Sequence, residues 1–99
     1  MLQEPIIDRV AMNPMQKRDR AVMVREVDSE VLLLDTEFNL IHKLNQTASF
    51  IWQALDRARS TAEIARLLAI EYEVEEHIAI RDVVETLAKL RELKLIVVA

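Results

Sequence analysis

The sequence predicts an α+β domain, a three-stranded antiparallel sheet followed by three helices. Three observations carry that expectation. Short β-branched and aliphatic runs fill residues 22–44. From Ala48 onward apolar residues recur at helical spacing, with Ile51, Trp52 and Leu55 next in the series. Asn45 stands where the period changes, and its side-chain oxygen can accept from the free N–H groups of a first helical turn.

Residues 1–14 hold both prolines, Pro5 and Pro14, without a clear period, and read as an arm ahead of a domain spanning 15–99. Lys17-Arg18-Asp19-Arg20 reads as a solvated charged lead-in to the first strand. Val22–Val27 is that strand, Asp28-Ser29-Glu30 a tight turn, and Val31–Leu34 a second strand, so the pair forms a hairpin. The second run is apolar on both faces, as suits a central strand. Asp35–Asn39 turns the chain again, and Leu40–Leu44 is a third strand.

Helix one is expected from Asn45 to about Asp56. Ser60-Thr61-Ala62-Glu63 is a capping box that opens helix two, with Ile64, Leu67, Leu68 and Tyr72 on its buried stripe. Helix three covers roughly Glu76–Leu93, with Ile80, Val83, Leu87 and Leu90 inward. Its acidic start and basic end (Lys89, Arg91, Lys94) complement the helix dipole. Leu95–Val98 can add a closing strand. Helices of this length on short connections, beside a small sheet, suggest a winged helix-turn-helix-like unit.

Composition limits what such a domain does. Ninety-nine residues, 52% of them hydrophobic and 30% charged, suit one soluble core. No apolar run is long enough for a membrane span, and no secretory signal opens the chain. The absence of cysteine fits a cytoplasmic location and removes disulfides, thiolate metal sites and thiol nucleophiles. A net charge of −4 argues against general nucleic-acid binding. Without a single glycine there is no phosphate-cradling loop, and turns that need positive φ are expected to use Asn, Asp or Ser. These features favour a binding domain with no cofactor, metal or catalytic residue.

The run Leu44-Asn45-Gln46-Thr47-Ala48 with Ile51-Trp52 and Leu55 resembles the LNxTaxxIWxxL signature of the PqqD family. The resemblance continues through Thr61, Glu63-Ile64, Leu67 and Tyr72. Asp82-Val83, Leu87, Leu90 and Leu95-Ile96 then follow its DVxxxLxxLxxxxLI pattern. Two departures fall at turns: Arg57-Ala58-Arg59 and Lys94 stand where the family usually has glycine. The resemblance implies a non-catalytic peptide chaperone, a recognition element for the leader of a ribosomally made precursor peptide. The implied partners are that leader and a radical S-adenosylmethionine modifying enzyme, as in pyrroloquinoline quinone biosynthesis or a related pathway.

In a three-strand meander the third strand keeps one unpaired row of N–H and C=O groups, which can take an extended peptide. The resemblance places the leader groove between that strand and helix three. The expected site is therefore Leu40, Ile41, His42 and Lys43, with the helix flank Arg81, Val84, Glu85, Ala88 and Arg91. Val84 and Ala88 would form an apolar floor, and Arg81 and Arg91 would meet acidic leader residues.

Blander readings apply elsewhere. Trp52 is core packing; His42 and His77 lack ligand-spaced partners; Glu71, Glu73, Glu75 and Glu76 form a solvated helix junction; Arg57 and Arg59 face solvent. Asp82 suits a structural hydrogen bond as well as a contact. The competing function is a winged helix-turn-helix DNA-binding regulator. Helix three opens with acids instead of the Arg, Lys, Asn or Gln that a recognition helix needs, and a low-salt mobility-shift assay separates the two. A small enzyme lacks its chemical groups here. The open edge also permits a homodimer.

Overall fold

A computed structural model of the protein describes residues 14–18 and 20–99. The chain order is β1 (Met15–Lys17), β2 (Val22–Val27), β3 (Glu30–Asp35), β4 (Leu40–Lys43), α1 (Gln46–Ala54), α2 (Thr61–Tyr72), α3 (Glu76–Glu92) and β5 (Ile96–Val98). The expected α+β class is met, with β2-β3-β4 an antiparallel meander and three helices after it. The expected closing strand is present as β5, but it pairs with β1 in a second antiparallel sheet that the sequence does not signal, because the three residues of β1 are too few to show a period. The expected arm falls outside the described residues except for Pro14, whose carbonyl accepts from the Ala99 N–H at 2.9 Å.

β2 and β3 are joined by two residues, Asp28 and Ser29, both at positive φ (54° and 68°). That is the twist a two-residue hairpin needs, supplied without glycine. Positive φ also falls on Asn39, as expected, but on Ala21, Glu73 and Lys94 too, so turn chemistry extends beyond Asn, Asp and Ser. Lys94, at φ 62°, occupies one of the two family glycine positions, whereas Arg57, Ala58 and Arg59 have no positive φ. Only the first of those departures asks a side chain to accept left-handed backbone.

β3 buries alternate residues Val31, Leu33 and Asp35 toward the helices, so its second face is half-covered instead of buried. Leu33, Ile51, Trp52, Ile64, Leu68, Val83, Leu87 and Leu90 form the centre of the core. α1 starts as expected, with Asn45 Oδ1 accepting from the Ala48 N–H at 2.8 Å, but ends at Ala54. The capping box is present: Ser60 Oγ accepts from the Glu63 N–H at 3.2 Å, and Glu63 Oε1 from the Ser60 N–H at 2.8 Å. Phe50 and Tyr72 meet edge to face at 5.7 Å and tie α1 to α2.

The inward stripe of α3 is Ala79, Val83, Leu87 and Leu90; Ile80, expected inward, is 36% exposed. Ala79 and Ile80 both continue the spacing of the stripe, and the packed helix turns Ala79 inward. The 17–20 run also departs from a solvated lead-in, with Asp19 outside the described residues. Lys17 is half-buried with its ammonium 4.8 Å above the Trp52 ring, and burial lowers its pKa against the raising effect of Asp56.

Arg18 donates to the buried Asp35 carboxylate at 2.7 Å. Asp35 Oδ1 also accepts from the Glu37 and Phe38 N–H groups at 3.0 and 3.1 Å, holding the turn that leads into β4. The Arg18 hydrogen bond is the largest cause lowering the Asp35 pKa below 3.8; burial opposes it, and the Phe38 and Glu37 N–H groups assist it. A carboxylate with a depressed folded pKa stabilises the fold above its unfolded value, and loses that contribution as pH falls through the folded one. We therefore expect Asp35→Asn to lower the melting temperature by several degrees at neutral pH. The gap to the parent protein should begin to narrow below about pH 4, where the unfolded chain's carboxylate takes up a proton, and close as pH falls through the lower folded value. Thermal melts across pH check this, and a gap independent of pH would refute the linkage.

Candidate functional site

β4 pairs only with β3, in the register Leu32↔Lys43, Leu33↔His42, Leu34↔Ile41 and Asp35↔Leu40. The Leu44 N–H donates to the Val31 carbonyl at 2.9 Å, which sets the alternation along the strand. Main-chain groups of His42 and Leu40 therefore point to β3, and those of Ile41 and Lys43 point away from the sheet. The free edge thus offers two N–H donors and two C=O acceptors. Its side chains alternate as well: His42 is half-buried beside Leu33, while Ile41 is 68% exposed.

The reciprocal bond at the end of the ladder is replaced by a side chain. Val31 N–H donates to Ser49 Oγ at 2.8 Å, and the Ser49 hydroxyl donates onward to the Leu44 carbonyl at 3.2 Å. This buried serine on the first turn of α1 stitches the helix start into the sheet, and so holds the edge strand at a set angle to the helices. Ser49→Ala would leave the Val31 N–H buried without a partner and should cost about 1–3 kcal/mol. Urea unfolding measures that loss, and a cost near zero would mean the hydroxyl is dispensable.

Between β4 and α3 runs a groove of about 460 Å³. Ile41, His42, Lys43 and Leu44 form one wall, and Glu85, Thr86, Lys89, Leu90 and Leu93 the other, with Ala48 of α1 at the floor. Of the site residues expected from sequence, Ile41, His42, Lys43 and Glu85 are brought together here. Leu40 is 49% exposed at the start of β4 and does not line the groove. Arg81, Val84 and Ala88 do not line it either, and Arg91 lines a separate concavity. A buried helical stripe has two flanks; 86, 89 and 93 lie on one, and 81, 84, 88 and 91 on the other. Residue spacing treats them alike, so Thr86, Lys89 and Leu93 carried no distinguishing signal.

The groove is mostly apolar with a few polar groups placed along it, the pattern of a recognition site. Lys43 is drawn to Glu30 at 3.7 Å across an exposed surface, a weak tie that a guest can displace. The buried Nε2 of His42 has no hydrogen-bond partner among the described residues. Those residues contain no group of three or more His, Cys, Asp or Glu placed to hold a metal, and no helix long and apolar enough to cross a membrane.

Solved structures share this architecture. TbiB1 in complex with the TbiA(beta) leader peptide is 28% identical, with a TM-score of 0.74 over 82% of this chain and 93% of that one. A lasso peptide synthetase B1 complexed with its leader peptide is 32% identical, with a TM-score of 0.72 over 84% and 96%. The PqqD portion of Methylobacterium extorquens PqqCD, described as a stand-alone recognition element for ribosomally synthesized, post-translationally modified peptides, shares the fold at 20% identity. Its TM-score is 0.73 over 88% of this chain and 92% of that one. No curated protein sequence matches. The family described as Coenzyme PQQ synthesis protein D (PqqD) matches residues 30–96, from the start of β3 to the start of β5. With the open β4 edge, the serine-stitched helix start and the α3 groove all inside that span, the chain belongs to the PqqD family.

Proposed function

We propose that this protein is a non-catalytic chaperone of the cytoplasm that binds the leader of a ribosomally made precursor peptide as an added strand on β4. It then presents the peptide to a modifying enzyme. The observation that carries the reading is the unpaired edge of β4, with Ile41 and Lys43 turning main-chain donors and acceptors toward an apolar groove. A disordered leader gains most of its affinity from those backbone bonds, and side chains at alternate positions enter the groove. The proposed contacts are Ile41, His42, Lys43 and Glu85, joined by Thr86, Lys89 and Leu93.

By resemblance to the family, the receiving enzyme is a radical S-adenosylmethionine protein. A second reading, that the peptide belongs to the lasso class, is favoured by the 32% identity to a lasso peptide synthetase B1 against 20% to the PqqD portion. Two copies joined through β4 would block the same edge, so dimerisation and leader binding should compete.

Titration with leader peptides such as the TbiA(beta) leader bound by the similar TbiB1, followed by amide chemical shifts, tests the proposal. Saturable shifts should concentrate on residues 40–44 and 85–93. Shifts confined to β2 or α2 would overturn it.

A further inference from the structure

A second concavity, of about 610 Å³, opens near the Leu40 end of β4. Phe38 contributes from the turn before the strand, Arg91 and Lys94 from the end of α3, and Arg18 and Arg20 from the segment after β1. Phe38 is 45% exposed, and its ring lies 5.5 Å from the Lys94 ammonium and 5.7 Å from the Arg18 guanidinium. Four cations face a single carboxylate, Glu37, although the whole chain carries a net charge of −4.

Arg18 is already committed to Asp35, with Glu37 at 3.8 Å and main-chain carbonyls taking its remaining donors. Arg20, Arg91 and Lys94 have no carboxylate within ion-pair distance among the described residues. Gathering like charges without counter-charges is unfavourable unless a guest supplies the opposite sign. A small inorganic anion would use the cations alone. The exposed ring beside them suits a chain with both acidic and apolar side chains.

The two concavities are neighbours along the chain. Leu93 lines the β4 groove and Lys94 the second concavity; Ile41 lines the groove and Phe38 the second concavity. Three residues of extended chain span at most about 10 Å. A peptide paired with β4 and leaving past Leu40 therefore reaches Phe38 within about three residues.

We propose that this concavity seats an acidic segment of the bound peptide, immediately flanking the stretch that pairs with β4. Asp or Glu side chains there meet Arg20, Arg91 and Lys94, and an apolar side chain covers Phe38. The proposal rests on the strand-addition reading above and adds to it a substrate class: leaders whose β4-pairing segment is flanked on one side by acids. Arg91 thus keeps the acidic guest expected from the sequence, at a different place.

Selection of a random dodecapeptide display library on the intact protein tests both levels. Enriched peptides should carry alternating apolar residues followed at one end by Asp or Glu. Arg91→Glu/Lys94→Glu should remove the acidic end from the consensus and weaken a selected acidic peptide by roughly tenfold at low salt, the gap closing at high salt. Arg91→Gln/Lys94→Gln serves if the reversal fails to fold, with a smaller loss expected. Peptides that are enriched without acidic bias, lose affinity in Ile41→Pro and ignore both double variants would overturn this inference while leaving strand addition standing. So would a charge reversal that spares the peptide consensus and disrupts only assembly with a modifying enzyme. Enrichment indifferent to Ile41→Pro would overturn both readings.

Discussion

Ile41→Pro should weaken leader binding by roughly tenfold or more while leaving the fold intact. The Leu44-to-Val31 hydrogen bond sets the phase of β4, so the Ile41 N–H points away from β3. Proline removes that donor without touching the β3–β4 ladder, and its fixed φ is tolerated on an edge strand. The guest carbonyl that would have met it goes unpaired, at a cost of about 1–3 kcal/mol. His42→Pro acts differently. Its N–H faces Leu33 inside the ladder, so the substitution should lower the melting temperature as well as affinity. Fluorescence anisotropy with a labelled leader and a thermal melt separate the two. Unchanged affinity in Ile41→Pro would refute pairing along β4.

Trp52→Ala should cost about 3–5 kcal/mol, a large share of the roughly 5–15 kcal/mol that holds a small domain together. Trp52 is 2% exposed, sits on α1 and is capped by the Lys17 ammonium at 4.8 Å, so its ring binds β1 to the helical core. Its loss leaves a void in the core beneath Lys17 of β1. Trp52→Phe should be much milder, because it keeps most of the ring and deletes an indole N–H that has no partner among the described residues. Urea midpoints measure both. Equal losses for Ala and Phe would mean that the indole N–H, and not the volume, holds the site.

Much of this architecture was legible because local signals agreed with each other. The Asn45 cap, the Ser60–Glu63 box and the tight turn at Asp28-Ser29, which the sequence reading extends by one residue into Glu30 of β3, each act within four residues, so their geometry follows from neighbours along the chain. The order of the meander followed from its short connections, and with it the exposure of β4. The arginine run after β1 was misread because its partner, Asp35, is seventeen residues away. Ser49 looked like an ordinary helix residue because its role depends on Val31 and Leu44 meeting in space.

By itself, then, the sequence determined the sheet-then-helices order, the helix starts, the family and the strand whose edge stays open. Tertiary structure alone decided which flank of α3 closes the groove, which main-chain groups of β4 face outward, and that Phe38 gathers cations from two separate segments. The physical reason is range. Caps, turns and periodicity are settled by atoms a few bonds apart, whereas a groove is made by the angle at which a helix crosses a strand. That angle is set by the packed volumes of Leu33, Trp52, Val83 and Leu87 together, and no one of them specifies it alone.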